Sequence, residues 1–265
     1  MRLASIASGS SGNCIYIGSD NHHLLIDDGI PGKRVTEALH ALDVKPEELE
    51  GVLVTHEHRD HVGGLGVLSR KYHLPIYGTE ATLAEIQHDE KLGKIPEELF
   101  HPIEKETDFQ LGDLTVHPFA ISHDAVDPVA YRVVCGEKRT AVVTDLGEYD
   151  ERIIGELQEL DTVLIEANHD VRMLQVGPYP YPLKQRILSD RGHMCNEAAG
   201  QLLTHILHDR MRAVFLGHLS KENNYPELAL ETVKMEISLG DCPYRASDFP
   251  IQVAPRTQMS SCVAW

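Results

Sequence analysis

The chain has 265 residues, 42% of them hydrophobic and 25% charged, which is enough apolar content for a sizeable packed core. Its formal net charge of −17 excludes general coating of nucleic acid by a basic surface, while leaving room for a local basic patch. Five scattered cysteines with no C-x-x-C pair, no apolar run of membrane-spanning length and no leader-like apolar stretch after Met1 predict a cytoplasmic protein without membrane attachment, a single domain over residues 1–265.

Residues 3–7 read as a first strand, followed by the turn-rich run Ser8-Gly9-Ser10-Ser11-Gly12-Asn13. Through Ser10, Ser11 and Asn13 this run can face an anionic substrate; it can equally be a plain connection, since it has no P-loop lysine. Strands at 14–17 and 23–27 end in Asp27-Asp28-Gly29, and Pro31 opens a helix with Val35, Leu39 and Leu42 at helical spacing. Strand 51–54 then runs into Thr55-His56-Glu57-His58-Arg59-Asp60-His61, and an apolar helix from Val62 through Tyr72 runs out of it. His56 and His58, two apart in extended chain, point the same way and can hold one ion. Asp60 and His61 lie past the bend and face a second ion. Imidazole and carboxylate suit zinc and related divalent metals.

Residues 75–78 form a short buried strand, 79–93 a polar helix and 95–101 a Pro-bounded connection. Strand 114–121 ends at Ser122-His123-Asp124. Residues 129–134 and 140–144 read as an antiparallel pair around Gly136, the second ending at Asp145-Leu146-Gly147. Helix 150–159 leads to strand 162–168, which carries Glu166 and is followed by His169. After the Pro-rich run 178–182 come a basic helix with Lys184 and Arg186, then Gly192-His193, helix 196–208, strand 213–216 ending at Gly217-His218, helix 226–239 and strand 251–254.

Asp27, His56, His123, Asp145, Glu166 and His218 all sit at or directly after the ends of apolar strands. Strands of packed sheets deliver their ends to one edge, so these residues can converge. In that arrangement Asp145 bridges two ions, His123 completes a set with His56 and His58, and His218 joins Asp60 and His61. Such ions activate a water as nucleophile and polarise the scissile carbonyl or phosphoryl group. Any one of these histidines alone is more often structural; the combination carries the argument.

H-x-H-x-D-H with a later His, Asp and His resembles the metallo-β-lactamase superfamily. The resemblance spans essentially the whole chain and implies an αββα sandwich, two mixed β-sheets flanked by helices, with the dimetal site at the sheet edge. Ala7-Ser8-Gly9-Ser10-Ser11-Gly12-Asn13-Cys14, Thr144-Asp145-Leu146-Gly147, Glu166-Ala167-Asn168-His169-Asp170 and Leu216-Gly217-His218-Leu219-Ser220-Lys221-Glu222-Asn223-Asn224 are similar to the bacterial YycJ (WalJ, VicX) group. That implies a DNA exonuclease dependent on two divalent ions, for which zinc, manganese and iron share suitable ligands. Asp60, Glu166 and His193 are then the catalytic residues. Glu166 and His193 resemble the Glu–His pair of tRNA 3′-processing enzymes, in which the histidine protonates the leaving oxygen. Lys184 and Arg186 supply basic surface for DNA. Hydrolysis of β-lactams or small esters and thioesters on the same ions is the competing reading, and a non-catalytic binding protein a second. His58, where flavodiiron proteins usually carry glutamate, argues against oxygen or nitric oxide reduction.

Overall fold

The computed structural model describes residues 1–265. In chain order the elements are β1 (Arg2–Ala7), β2 (Cys14–Gly18), β3 (His23–Ile26), α1 (Gly32–Ala41), β4 (Leu49–Leu53), α2 (Arg59–Val62), α3 (Leu65–Tyr72), β5 (Ile76–Thr79), α4 (Glu80–His88), β6 (Phe100–Ile103), β7 (Phe109–Leu111), β8 (Leu114–Ala120) and β9 (Val129–Cys135). There follow β10 (Lys138–Val143), α5 (Glu151–Glu156), β11 (Thr162–Glu166), α6 (Val171–Val176), α7 (Tyr181–Ile187), α8 (Asn196–Ile206), β12 (Ala213–Gly217), α9 (Pro226–Leu239), β13 (Ile251–Val253) and β14 (Val263–Ala264). The strands form two mixed sheets, ordered β14-β1-β2-β3-β4-β5-β6 and β13-β12-β11-β10-β9-β8-β7. By compactness the chain divides into a first unit (residues 1–120, 125–137 and 255–265) and a second (121–124 and 138–254).

In the first unit β1, β2 and β3 pair antiparallel, whereas β3, β4, β5 and β6 run parallel. Val35 and Leu39 of α1, Leu65 and Leu68 of α3, and Leu83 and Ile86 of α4 share one apolar core with Tyr16, Leu25 and Val52 of this sheet. The helices thereby bury the apolar stripe that their i, i+3, i+4 spacing creates. Parallel pairing matters for the site because β3 and β4 must end at the same edge, which delivers Asp27 and His56 together. Two bonds hold the end of β4 in place: the Tyr131 hydroxyl donates to the Val54 carbonyl at 2.7 Å, and the Val129 N–H to the Thr55 carbonyl at 3.0 Å.

The second unit holds β10, β11, β12 and β13 as a parallel set. Every residue of β11 and β12 is buried, as expected of parallel strands covered on both faces. α8 and α9 pack together, burying Leu202, Leu203 and Ile206 on one and Ala229, Val233 and Ile237 on the other. β10, β11 and β12 again finish at one edge, with Asp145, Glu166 and His218 at or just past their ends.

The structure departs from the sequence reading in a few elements. The helix expected from Val62 through Tyr72 is two helices, broken at Gly63-Gly64, where the Gly64 N–H turns away to the Asp28 carbonyl at 2.7 Å. Part of the expected connection 95–101 belongs to β6, which contains Pro102 and sits at the sheet edge, where a strand tolerates proline. α6 is short and is fixed by its cap, the Asp170 side chain accepting from the Met173 N–H at 2.7 Å.

Candidate metal centre

In the first unit the strand β4 ends just before His56, and α2 begins immediately after His58. The ring centroid of His56 lies 4.6 Å from that of His58 and 4.2 Å from that of His61, so the corner draws three imidazoles together. Asp60 Oδ2 is 3.5 Å from His61 Nε2. His61 is fully buried and is oriented from behind by Asp27, whose Oδ2 accepts from His61 Nδ1 at 2.7 Å. Asp27 also accepts from the Thr55 N–H at 2.8 Å and from the Thr55 hydroxyl, tying the carboxylate to the base of the loop.

The Ser8–Asn13 run is pinned to the same corner. The Asn13 N–H donates to the Asp60 carbonyl at 2.8 Å, and the Asn13 side-chain amide reaches His61 Nε2 at 3.1 Å. Gly29 is required here, because a Cβ at that position would lie 1.7 Å from the Asp60 carbonyl oxygen. The sequence places Asn13 at the substrate; the structure buries it, with its side-chain Oδ1 accepting from the Gly9 N–H at 2.9 Å. Asn13 thus holds the metal-binding corner in place. Ser10 and Ser11 are exposed and line a cavity of about 620 Å³ together with Arg59 and Asp60.

In the second unit, ligand atoms of Asp145, Glu166, His193 and His218 all lie within 4.8 Å of one another. Glu166 is fully buried and organises the group. Its Oε1 accepts from Nδ1 of both His193 and His218 at 2.9 Å, while its Oε2 accepts the N–H groups of Leu146 at 2.9 Å and Met194 at 3.2 Å. Burial by itself would raise the Glu166 carboxyl, but the two histidines outweigh it and hold the pKa down at about 2. Burial likewise opposes the charged His193 ring, and the Glu166 carboxylate, with Asp145 behind it, reverses that and raises its pKa. His123 Nδ1 donates to the Gly192 carbonyl at 3.1 Å, and its Nε2 stands 3.7 Å from Asp145 Oδ1. Arg191 fixes the backbone at this point by donating twice to the His123 carbonyl, at 3.0 and 3.1 Å.

A pattern joins these contacts. His61, His123 and His218 each commit Nδ1 to an oxygen acceptor, a carboxylate or a carbonyl, so Nε2 is the nitrogen each could turn to a metal, which at His61 would displace the Asn13 amide. Metal-ligating histidines are characteristically oriented this way. The donor set of imidazoles and carboxylates therefore fits divalent metal. Glu166, by contrast, spends both oxygens on four donors and is a positioning residue. Asp27, Asp145 and His218 all adopt left-handed backbone, with φ of 61°, 59° and 53°. For non-glycine residues such backbone costs about 1–3 kcal/mol each and clusters at functional sites.

Of the two basic residues expected at the substrate, Arg186 pairs with Asp124 through both its Nε and its Nη2, next to His123. Lys184 Nζ donates to the Gln175 carbonyl at 2.7 Å. His169 is buried, with both ring nitrogens lacking a hydrogen-bond partner, and burial lowers its pKa to about 4. Its main chain is engaged, the Asn196 N–H donating to its carbonyl at 3.0 Å.

Asp28 differs from its neighbour Asp27 in being fully buried with no side-chain donor on its carboxylate and only the Ile30 backbone N–H to offset the burial. Burial raises its pKa to about 8. The folded state therefore keeps a proton on Asp28 over a range, from about 4 to about 8, in which the unfolded state releases it, and stability falls as pH rises through that window. The cost reaches on the order of 4 kcal/mol near neutral pH as an upper bound. Asp28→Asn is expected to melt several degrees above the unsubstituted chain at pH 7.5 and close to it at pH 4. Thermal melts at the two pH values test this; the same difference at both would refute it.

No helix is long and apolar enough to cross a membrane. The family described as "Beta-lactamase superfamily domain" matches residues 22–218. The exodeoxyribonuclease WalJ of Streptococcus pneumoniae serotype 2 (strain D39 / NCTC 7466) is 42% identical over 240 residues, covering 91% of this chain and 89% of that protein. The exodeoxyribonuclease YycJ of Bacillus anthracis is 39% identical over 236 residues, covering 88% of each. Among solved structures, the metallo-β-lactamase fold protein YhfI of Bacillus subtilis superposes with a TM-score of 0.70 at 17% identity, covering 98% of both chains. The chain belongs to the β-lactamase superfamily, and within it to the WalJ/YycJ group.

Proposed function

We propose that this protein is a DNA exonuclease that uses two divalent ions, zinc or manganese, to cleave phosphodiesters from a strand end. The reading places its substrate, and the protein with it, in the cytoplasm. His56, His58, Asp60, His61, His123, Asp145 and His218 would hold the ions, and Asp145 would be the carboxylate shared between them. When bound, the ions supply an activated water and polarise the phosphoryl oxygen. The chain's own residues do the rest. Asp27, the Gly192 carbonyl and Glu166 fix the tautomers of three ligand histidines. His193, held through Nδ1 by Glu166, presents Nε2 as the proton donor to the departing 3′ or 5′ oxygen.

The observation that carries the nuclease reading is the His193–Glu166 bond of 2.9 Å on a buried carboxylate. Cleavage of a phosphodiester must neutralise a leaving alkoxide, and an imidazolium poised by a carboxylate does so. The relatives named exodeoxyribonuclease support the same substrate. The test is digestion of end-labelled linear duplex and single-stranded DNA with added manganese or zinc, with a chromogenic cephalosporin in parallel. Progressive shortening from one end is the expected result. Intact DNA with rapid cephalosporin opening would overturn it.

A further inference from the structure

The 620 Å³ cavity beside Asp60 does not end there. A second cavity of about 180 Å³ lies between α1 and α3, and the two share Gly32 and Val67 in their walls. They form one trough running from the Ser10-Ser11 turn past Arg59 and Asp60, then out between the two helices. The far part is lined by Lys33 and Thr36 of α1 and by Lys71 and Tyr72 of α3, and has no carboxylate in its wall. In a chain of net charge −17 this is an unusual stretch of surface. Lys33 is paired only with Glu37 on its own helix, at 3.7 Å between two exposed side chains, a contact worth little in water. Lys71 Nζ sits over the Tyr72 ring, 4.7 Å from its centre, and Tyr72 packs against the core, so this cation is held at the trough wall.

We propose that this trough carries the backbone of the DNA substrate to and from the scissile bond, with Arg59, Lys33 and Lys71 on its phosphates. The inference rests on the exonuclease reading and adds the path of the strand. α1 and α3 pack together in the first unit's core, so the trough runs over their contact, with Lys33 on one helix and Lys71 on the other. Three cations along one groove match what sequence-independent DNA binding uses, charge placed along the backbone.

Two variants test this without touching the proposed metal ligands. Lys33→Glu with Lys71→Glu alters only exposed side chains. Gly32→Phe narrows the junction of the two cavities, where a Cβ meets only Leu68 Cδ1 at an ordinary 3.7 Å. Both should melt like the unsubstituted chain and keep its metal content. On a 30-nucleotide strand KM should rise roughly tenfold in each. The double variant should also lose about 1.4 from the slope of log affinity against log salt, about 0.7 for each single-strand phosphate contact. Turnover of a dinucleotide, too short to enter the trough, should stay unchanged. Unaltered KM and salt slope in an enzyme that degrades DNA would overturn the path alone. Intact DNA with the unsubstituted chain would remove the exonuclease reading, and the path with it.

Discussion

Replacing Asp145 should strip the centre of metal and abolish DNA cleavage in the same step. Its Oδ1 stands 3.7 Å from His123 Nε2 and 3.4 and 3.5 Å from Nδ1 of His193 and His218, so the carboxylate sits amid three imidazoles. It is also buried, at 2% exposure, where a negative charge acts on its neighbours with little screening. Without it, two ions would have to be held close together by neutral imidazoles and the remaining carboxylate. Loss of several kcal/mol of transition-state stabilisation corresponds to on the order of a 10³-fold fall in turnover. The choice of substitution matters because Asp145 has φ of 59°. Alanine would add a left-handed backbone penalty of about 1–2 kcal/mol to the loss of charge, whereas asparagine accepts this conformation readily. Asp145→Asn therefore isolates the charge. Metal content measured after dialysis, with end-labelled DNA assayed on the same sample, checks the result. Full activity in either variant would sink the bridging role.

The proposed ligands are legible as candidates in the sequence because their signal is local: His56, His58, Asp60 and His61 fall within one strand-to-helix corner, and the strand ends at His123, Asp145 and His218 are marked by apolar runs. What orients them is not local. Asp27 stands 34 residues before His61, and the carbonyl that fixes His123 belongs to Gly192, 69 residues on. A backbone carbonyl has no residue-type signature at all. Asp27 and Asp28 are adjacent and chemically identical in sequence, yet one accepts from His61 and Thr55 while the other is buried with no side-chain donor on its carboxylate. That difference comes from the alternation of side chains about the end of β3, which the sequence cannot resolve at a turn with positive φ. Asn13 reads as ligand-facing because Ser/Gly loops often cradle anions; here the loop packs its asparagine inward and leaves Ser10 and Ser11 exposed. The strand β6 escapes notice for another reason, since an edge strand of four residues with an internal proline has almost no periodicity to display.

His193→Ala separates chemistry from metal binding. The ring is held by Glu166 through Nδ1 and takes no part in the proposed ligand set. Removing it should lower turnover about 10²–10⁴-fold, the range expected for loss of a general acid, while metal content and KM for DNA remain near those of the unsubstituted chain. Parallel loss of metal would refute the role and make His193 a ligand, a reading that the four-residue group of the second unit makes worth testing. Glu166→Gln sharpens the comparison. It keeps the side chain's shape but removes the charge that raises the His193 pKa, and it replaces one acceptor oxygen with an NH₂. Either His218 and His193 or the two backbone N–H groups of Leu146 and Met194 then face a donor. Glu166→Gln should therefore lose activity as His193→Ala does and also weaken metal binding through His218, by about 10–100-fold in affinity. In the double variant the turnover losses should fall well short of multiplying, because once His193 is gone Glu166 has no proton donor left to orient. At saturating metal, fully multiplicative losses would mean that the two residues act independently, and that the buried Glu166 carboxylate serves His218 or the fold and not the leaving group.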